Sequence, residues 1–138
     1  MVVIFTASSV YFMQDSEQAY YEYQLMIENG QRFASAYNLV AGAGKGFSYN
    51  MSFPTTILGY PYNVSFVENN SIVIEWEGPH GKMIYPHVMT PYSLEYGGCI
   101  DTSITSNRGV LKSDIGKNEI SFINSGDKIQ ILQGGSCP

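Results

Sequence analysis

Two acidic residues are the side chains whose spacing comes nearest to a catalytic pattern. Glu75 and Glu77 flank Trp76 in a stretch that alternates apolar and polar residues, so both carboxylates share one face of a predicted strand. Two carboxylates on one face are what glycoside hydrolysis uses. The same alternation is typical of a solvated strand face with a core tryptophan behind it. We expect this second arrangement.

The chain has two histidines, at positions that predict no chemistry. His80 lies in the turn sequence Gly-Pro-His-Gly, and His87 follows Pro86 at the end of a predicted strand. Metal binding or acid–base catalysis would need partner side chains at short spacing, and the sequence offers none. We expect a turn histidine and a surface histidine.

The other familiar motifs fail on spacing. Asp101, Asp114 and Asp127 do not match a calcium loop. The glycine-rich segment 42–46 lacks the spacing of a phosphate loop and follows a predicted helix instead of a strand. No Gly-x-Ser-x-Gly elbow is present either. We therefore expect no enzymatic activity, no metal site and no cofactor.

Cys99 and Cys137 are the two cysteines of the chain. They form no Cys-x-x-Cys motif and have no histidine at metal-ligand spacing. We expect one disulfide, with two buried thiols as the alternative. By the chain-entropy model the bond would stabilise the fold by roughly 4 kcal/mol and would tie down the C-terminus.

Three Asn-x-Ser sequons begin at Asn50, Asn63 and Asn69. Within about twenty residues of predicted strand and hairpin, they are candidate N-glycosylation acceptors and fit an extracellular protein carrying glycans. Charged residues are only 14% of the chain and the net charge is −5. A nucleic-acid partner, which would need a basic surface, is therefore not expected.

The first segment, residues 2–13, is apolar and nearly uncharged. Twelve residues are too few to span a bilayer, which needs about twenty. The segment is either a buried helix end or the remainder of a longer membrane helix, with Met1 as an introduced start. We favour the second. Its candidate assembly or membrane residues are Val3, Ile4, Val10, Tyr11 and Phe12.

Residues 14–41 have the period of an amphipathic helix. The polar face is centred on Glu28, Gln31 and Arg32. The opposite, apolar arc spans about 160° at 100° per residue, and its members are Ala19, Tyr20, Tyr23, Met26, Ile27, Gly30, Phe33, Ala34, Tyr37 and Val40. With the first segment this predicts one rod of about forty residues and about 60 Å.

After Gly46 the period becomes two, which predicts strands. We expect eight: 47–53, 62–67, 72–77, 83–87, 98–105, 109–112, 119–124 and 128–133, the last two forming a hairpin. The fold class is then α+β, with a long N-terminal helix (1–41) packed on a β-rich head (46–138). The head is an antiparallel sheet or a small sandwich.

One stretch carries a family resemblance. The helix end QRFASAYNLV, a glycine-rich break, SFPTTILGYPYNVSF and SIVIEW together resemble archaeal type IV pilin-like proteins, which are made with a class III signal peptide. Pro54, Ile57, Gly59 and Tyr62 occupy the family's Pro-x-x-Ile-x-Gly-x-x-Tyr turn. The resemblance covers about residues 1–77. The processing site and the start of the mature pilin are absent from this sequence.

The resemblance implies a pilin-like structural subunit of an extracellular filament that functions in adhesion. Such a subunit is membrane-anchored at the cell surface before assembly, and its partner is itself, through the N-terminal helix. The alternative is a monomeric, membrane-anchored binding module on a helical stalk. For the tyrosines near the apolar segment, among them Tyr20 and Tyr23, both membrane or filament contact and packing onto the head remain open.

The helix is expected to cover one face of the sheet, with Phe33 at the centre of the contact. The residues that make this contact are expected to be Met26, Ile27, Phe33, Ala34, Tyr37 and Val40. The reason is that an alternating strand such as 72–77 leaves an apolar face that needs cover. Residues before Ala19 are expected to extend past the sheet.

Overall fold

A computed structural model describes the backbone of residues 2–105 and 108–134 and the side chains of residues 18–103 and 108–134. It contains one helix, α1 (Val2–Ala43), followed by nine strands. These are β1 (Ser48–Ser52), β2 (Tyr62–Val67), β3 (Ser71–Gly78), β4 (Gly81–Val88), β5 (Ser93–Gly98), β6 (Asp101–Thr105), β7 (Arg108–Lys112), β8 (Glu119–Asn124) and β9 (Lys128–Gln133). The predicted α+β class is confirmed.

The helix ends where glycine begins to dominate the sequence. Gly44 and Gly46 have φ angles of 93° and 92°, a left-handed conformation that side chains disfavour and that commonly ends helices. The amide of Gly46 then donates to the carbonyl of Asn124, 2.8 Å away, so the chain passes directly from the helix into the head.

The strands form two sheets. One has the order β1-β8-β9-β5 and the other the order β4-β3-β2-β7-β6. The predicted β8–β9 hairpin is confirmed, with Phe122 opposite Ile131. The sheets meet through Phe66 and Phe122, whose ring centroids lie 5.9 Å apart. We refer to these nine strands and their connections as the head.

Two details of the predicted sheet are wrong. The segment 98–105 is not one strand, because Gly98 turns the chain with a φ of 64° between β5 and β6. The strand β5 was not predicted, and it pairs parallel to β9, so the four-stranded sheet is not purely antiparallel. Gly97 allows this pairing, since a Cβ there would lie 2.4 Å from the Leu132 side chain.

The sequence predicted that the helix covers one face of a single sheet. This prediction is wrong. The helix contacts β3 and β4 of the five-stranded sheet and β1 and β8 of the four-stranded sheet. The core is therefore shared by the helix and both sheets, which explains why its members come from almost every element.

Candidate functional site: the helix and its contact with the head

The helix face predicted to cover one sheet is buried against the head, where it meets both sheets. Met26, Phe33, Tyr37 and Val40 have no exposed surface, and Ala34 is 1% exposed. Ile27 is only partly buried and packs at the margin of the core. These residues recur at the three- and four-residue spacing of one helix face, so the local periodicity was sufficient to find them.

Phe33 packs against two aromatic rings of the head. Its ring is 5.4 Å from that of Phe53 and 6.3 Å from that of Tyr62, between centroids. Tyr37, one turn further along the helix, meets Phe122 at 6.2 Å. The aromatic contacts therefore join the helix to the head on both sides of the sheet junction, and each adds specific geometry to the burial of apolar surface.

Polar side chains fix the end of the helix to the head. The hydroxyl of Tyr37 donates to the carbonyl of Thr90 at 2.8 Å. Asn38 donates from Nδ2 to the carbonyl of Val88 and accepts at Oδ1 from the amide of Thr90. Asn124 of β8 donates to the carbonyl of Val40 at 3.1 Å in a buried site. These bonds set the position of the helix along its axis, which apolar contacts alone fix only loosely.

The tyrosines near the start of the described side chains differ in their surroundings. Tyr20 and Tyr21 are 66% and 60% exposed, so Tyr20 does not pack on the head. Tyr23 is partly buried and meets Tyr85 edge to face, with centroids 6.1 Å apart. Val3, Ile4, Val10, Tyr11 and Phe12 lie outside the residues whose side chains are described, and their contacts remain predictions.

Sequence reasoning missed a buried acid in the same interface. Glu22 has no exposed surface, and its carboxylate pairs with Nδ1 of His80 in the β3–β4 turn. Glu22 precedes Met26 by four residues and so lies on the predicted apolar face. The helical spacing was the available signal, but the partner is 58 residues away in sequence.

The prediction of a surface histidine at position 87 is wrong. His87 is 6% exposed, and its Nδ1 lies 3.1 Å from Oε1 of Gln31 on the helix. Burial lowers the pKa of His87. The physical reason is its register: His87 pairs with Ile72, so it shares the inner face of the sheet that the helix covers.

The Pro-x-x-Ile-x-Gly-x-x-Tyr segment forms a compact connection from β1 to β2. The hydroxyl of Tyr62 donates to the carbonyl of Pro54 at 2.5 Å, Ile57 is buried, and Gly59 has a φ of 83°. Burial raises the pKa of Tyr62 to about 12. Each position of the motif therefore has a local structural role in holding the aromatic ring that faces Phe33.

The two carboxylates considered for catalysis lie in an open groove of about 610 Å³ on the outer face of the five-stranded sheet. Trp76 is 1% exposed, as predicted for a core residue. Glu75 is near two cations, with Arg108 at 3.7 Å and Lys82 at 4.0 Å. Among the described residues, no group of three His, Cys, Asp or Glu side chains could hold a metal ion.

The structure places the three sequons at different kinds of position. Asn50 is exposed on the edge strand β1, and Asn69 is exposed in the β2–β3 turn with a φ of 59°. Asn63 is exposed on the inner strand β2, but its sequon serine, Ser65, is 1% exposed and accepts a hydrogen bond from Arg108. Glycosylation at any of them stays a prediction.

The predicted disulfide involves Cys137, which lies outside the described residues, so the bond stays a prediction. Cys99 is nearly buried directly after β5, and its amide donates to the carbonyl of Gln133 at 2.9 Å. Gln133 is four residues before Cys137 in sequence.

Across the described part of the chain, no helical stretch combines the length and hydropathy needed to cross a membrane. Comparison of the sequence with family models, with curated proteins and with solved structures finds no match.

Proposed function

We propose that this chain is a structural subunit of an extracellular, archaeal type IV pilus-like filament that assembles through its N-terminal helix. The observation that carries the proposal is the division of α1 (Val2–Ala43) into two parts. Among the described side chains of the helix, which start at residue 18, the first fully buried one that contacts the head is Glu22, and Tyr20 and Tyr21 just before it are exposed. At 1.5 Å per residue, the helix before Glu22 is about 30 Å long.

A helix used in this way needs a rigid attachment to the globular part. The aromatic contacts of Phe33 and Tyr37 and the buried bond from Asn124 to Val40 supply one. The head would then follow the helix as one body when subunits associate. Repeated head-to-tail contact between such bodies builds an open helical assembly, because heterologous contacts need not close.

The exposed tyrosines favour a contact surface on the helix. Large aromatic rings contribute most of their free energy when they are removed from water, and they are enriched in protein interfaces. Two such rings, at 66% and 60% exposure and adjacent in sequence, lie just before the docked part of the helix. In the proposed filament they contact neighbouring helices, and the β-rich heads form the outer layer, where they serve adhesion.

The test is filament formation in cells that express the protein from its native gene. Tyr20→Ser and Tyr21→Ser remove exposed rings, so the fold should be unchanged. Tyr49→Ser is the matched control, since that ring is 41% exposed but lies on β1. We expect electron microscopy to show filaments for the parent chain and the control, and few or none for the helix variants.

Two results would count against the proposal. Filaments that are equally abundant in all three variants would show that Tyr20 and Tyr21 do not contribute to assembly. A protein that is expressed from its native gene and stays monomeric at the cell surface would favour the stalked binding module instead. Circular dichroism of each purified variant shows that a loss of filaments is not a loss of folding.

A further inference from the structure

The imidazole of His87 is held between β4 and the middle of the helix. Nδ1 lies 3.1 Å from Oε1 of Gln31, which can only accept, so the proton of the neutral ring is assigned to Nδ1. Nε2 is then a lone pair, and it has no hydrogen-bond partner among the described residues. The ring is buried and neutral, with one nitrogen still able to take a proton from solvent.

The helix backbone lies directly against that second nitrogen. A Cβ added at Gly30 would be 2.6 Å from Nε2 of His87 and 2.8 Å from Cγ2 of Ile74. Glycine is therefore what permits the close approach of α1 to the five-stranded sheet. A proton on Nε2 would point toward this contact, where no acceptor faces it within the described structure, and an unpaired buried charge is costly.

The groups around His87 give no compensating negative charge. Its own strand supplies the ring of Tyr85 at 5.0 Å, and the helix supplies the neutral Gln31. The titratable and charged groups of the neighbouring elements lie elsewhere. On the helix, Tyr23 contacts Tyr85, Glu22 pairs with His80 at the β3–β4 turn, and Glu28 and Arg32 are on the exposed face. On the sheet, the charged groups are on the outer face: Glu75, Glu77 and Lys82. Burial is accordingly the cause that lowers the pKa of His87.

We propose that His87 is an acid-sensitive joint: protonation of its Nε2 loosens the contact of the middle of α1 with β3 and β4 at Gly30. The sign follows from linkage. A histidine that binds its proton more weakly in the folded state makes the fold less stable as the pH falls below the ordinary value of about 6.5. Above that pH the His87 ring is neutral and the contact of α1 with β3 and β4 at Gly30 is intact.

His80 provides an internal contrast. It also meets the helix, but its partner is the buried carboxylate of Glu22. A protonated His80 would gain an ion pair there, which favours the closed contact. The two histidines of the chain therefore contact the helix through different partners, and the one at position 87 does so beside Gly30.

The experiment uses two variants of the full chain, each with a single histidine. In His80→Gln the one remaining histidine is His87, and in His87→Gln it is His80. Urea unfolding is followed by the fluorescence of Trp76, the single tryptophan, at pH 7.5 and 5.5. For His80→Gln we expect the unfolding equilibrium constant to rise by up to about tenfold between the two pH values, and for His87→Gln we expect no rise.

A second measurement locates the effect and needs no variant. In NMR titrations of the parent chain, the amide of Gly30 should shift with the same midpoint as the ring of His87, below pH 6.5. An equal rise in the unfolding constant for both variants, or no rise for His80→Gln, would overturn the proposal. So would a Gly30 amide that stays unchanged while His87 takes up its proton.

Discussion

Replacing Phe33 by alanine measures how firmly the helix is docked. The ring has no exposed surface and lies against Phe53 and Tyr62. Burying a phenylalanine contributes about 1.5–3 kcal/mol from transfer alone. The two ring contacts and the cavity left in a core shared by three layers add to this. We therefore expect Phe33→Ala to lower the free energy of unfolding by about 3–5 kcal/mol.

The adjacent Arg32 supplies the control. Its side chain is exposed and donates one hydrogen bond to the carbonyl of Ser52 at 3.2 Å. Arg32→Ala should therefore cost only about 0.5–1 kcal/mol, the usual net value of one such bond. Urea unfolding followed by Trp76 fluorescence reports both, because that side chain is 1% exposed in the same core. Small, equal losses for the two variants would refute the docking described here.

Three further predictions concern other parts of the fold. Thiol titration of the unreduced protein should find no free thiol at Cys99 or Cys137; two reactive thiols would reject the disulfide. Gly30→Ala should lower the free energy of unfolding by about 1–3 kcal/mol, because the added methyl group overpacks against His87. Gly42→Ala is the control and should be neutral or slightly stabilising, because a Cβ there meets nothing within 4 Å. Similar urea midpoints for the two variants would contradict this prediction. Stability should fall from pH 10 to about 12, because the unfolded chain loses the Tyr62 proton first, and alkaline titration at 295 nm checks this.

Local patterns were sufficient for much of this fold. Apolar residues that recur with a period of 3.6 predicted the buried helix face. Apolar residues that recur with a period of two predicted β2, β8 and β9 with their observed bounds. Their signals are strong because large apolar side chains recur on one face of each element. The glycine pair at 44 and 46 marked the helix end for an equally local reason, since each has a left-handed φ.

The features that the sequence did not predict depend on distant partners. The strand β5 pairs in parallel with β9, about thirty-five residues later, so no hairpin signal marks it. The charge of Glu22 argued against burial, and only the turn bearing His80 makes that burial acceptable. His87 followed a proline at a strand end, where the sequence does not show which face the helix will cover.

The most direct test of the central proposal is a density map of filaments isolated from cells that produce this chain, by cryo-electron microscopy. We expect a filament with the α1 helices bundled at its centre and the two-sheet heads outside, with Tyr20 and Tyr21 between neighbouring helices. Filaments whose centre is built from another protein, or cells that display the chain only as separate monomers, would contradict it.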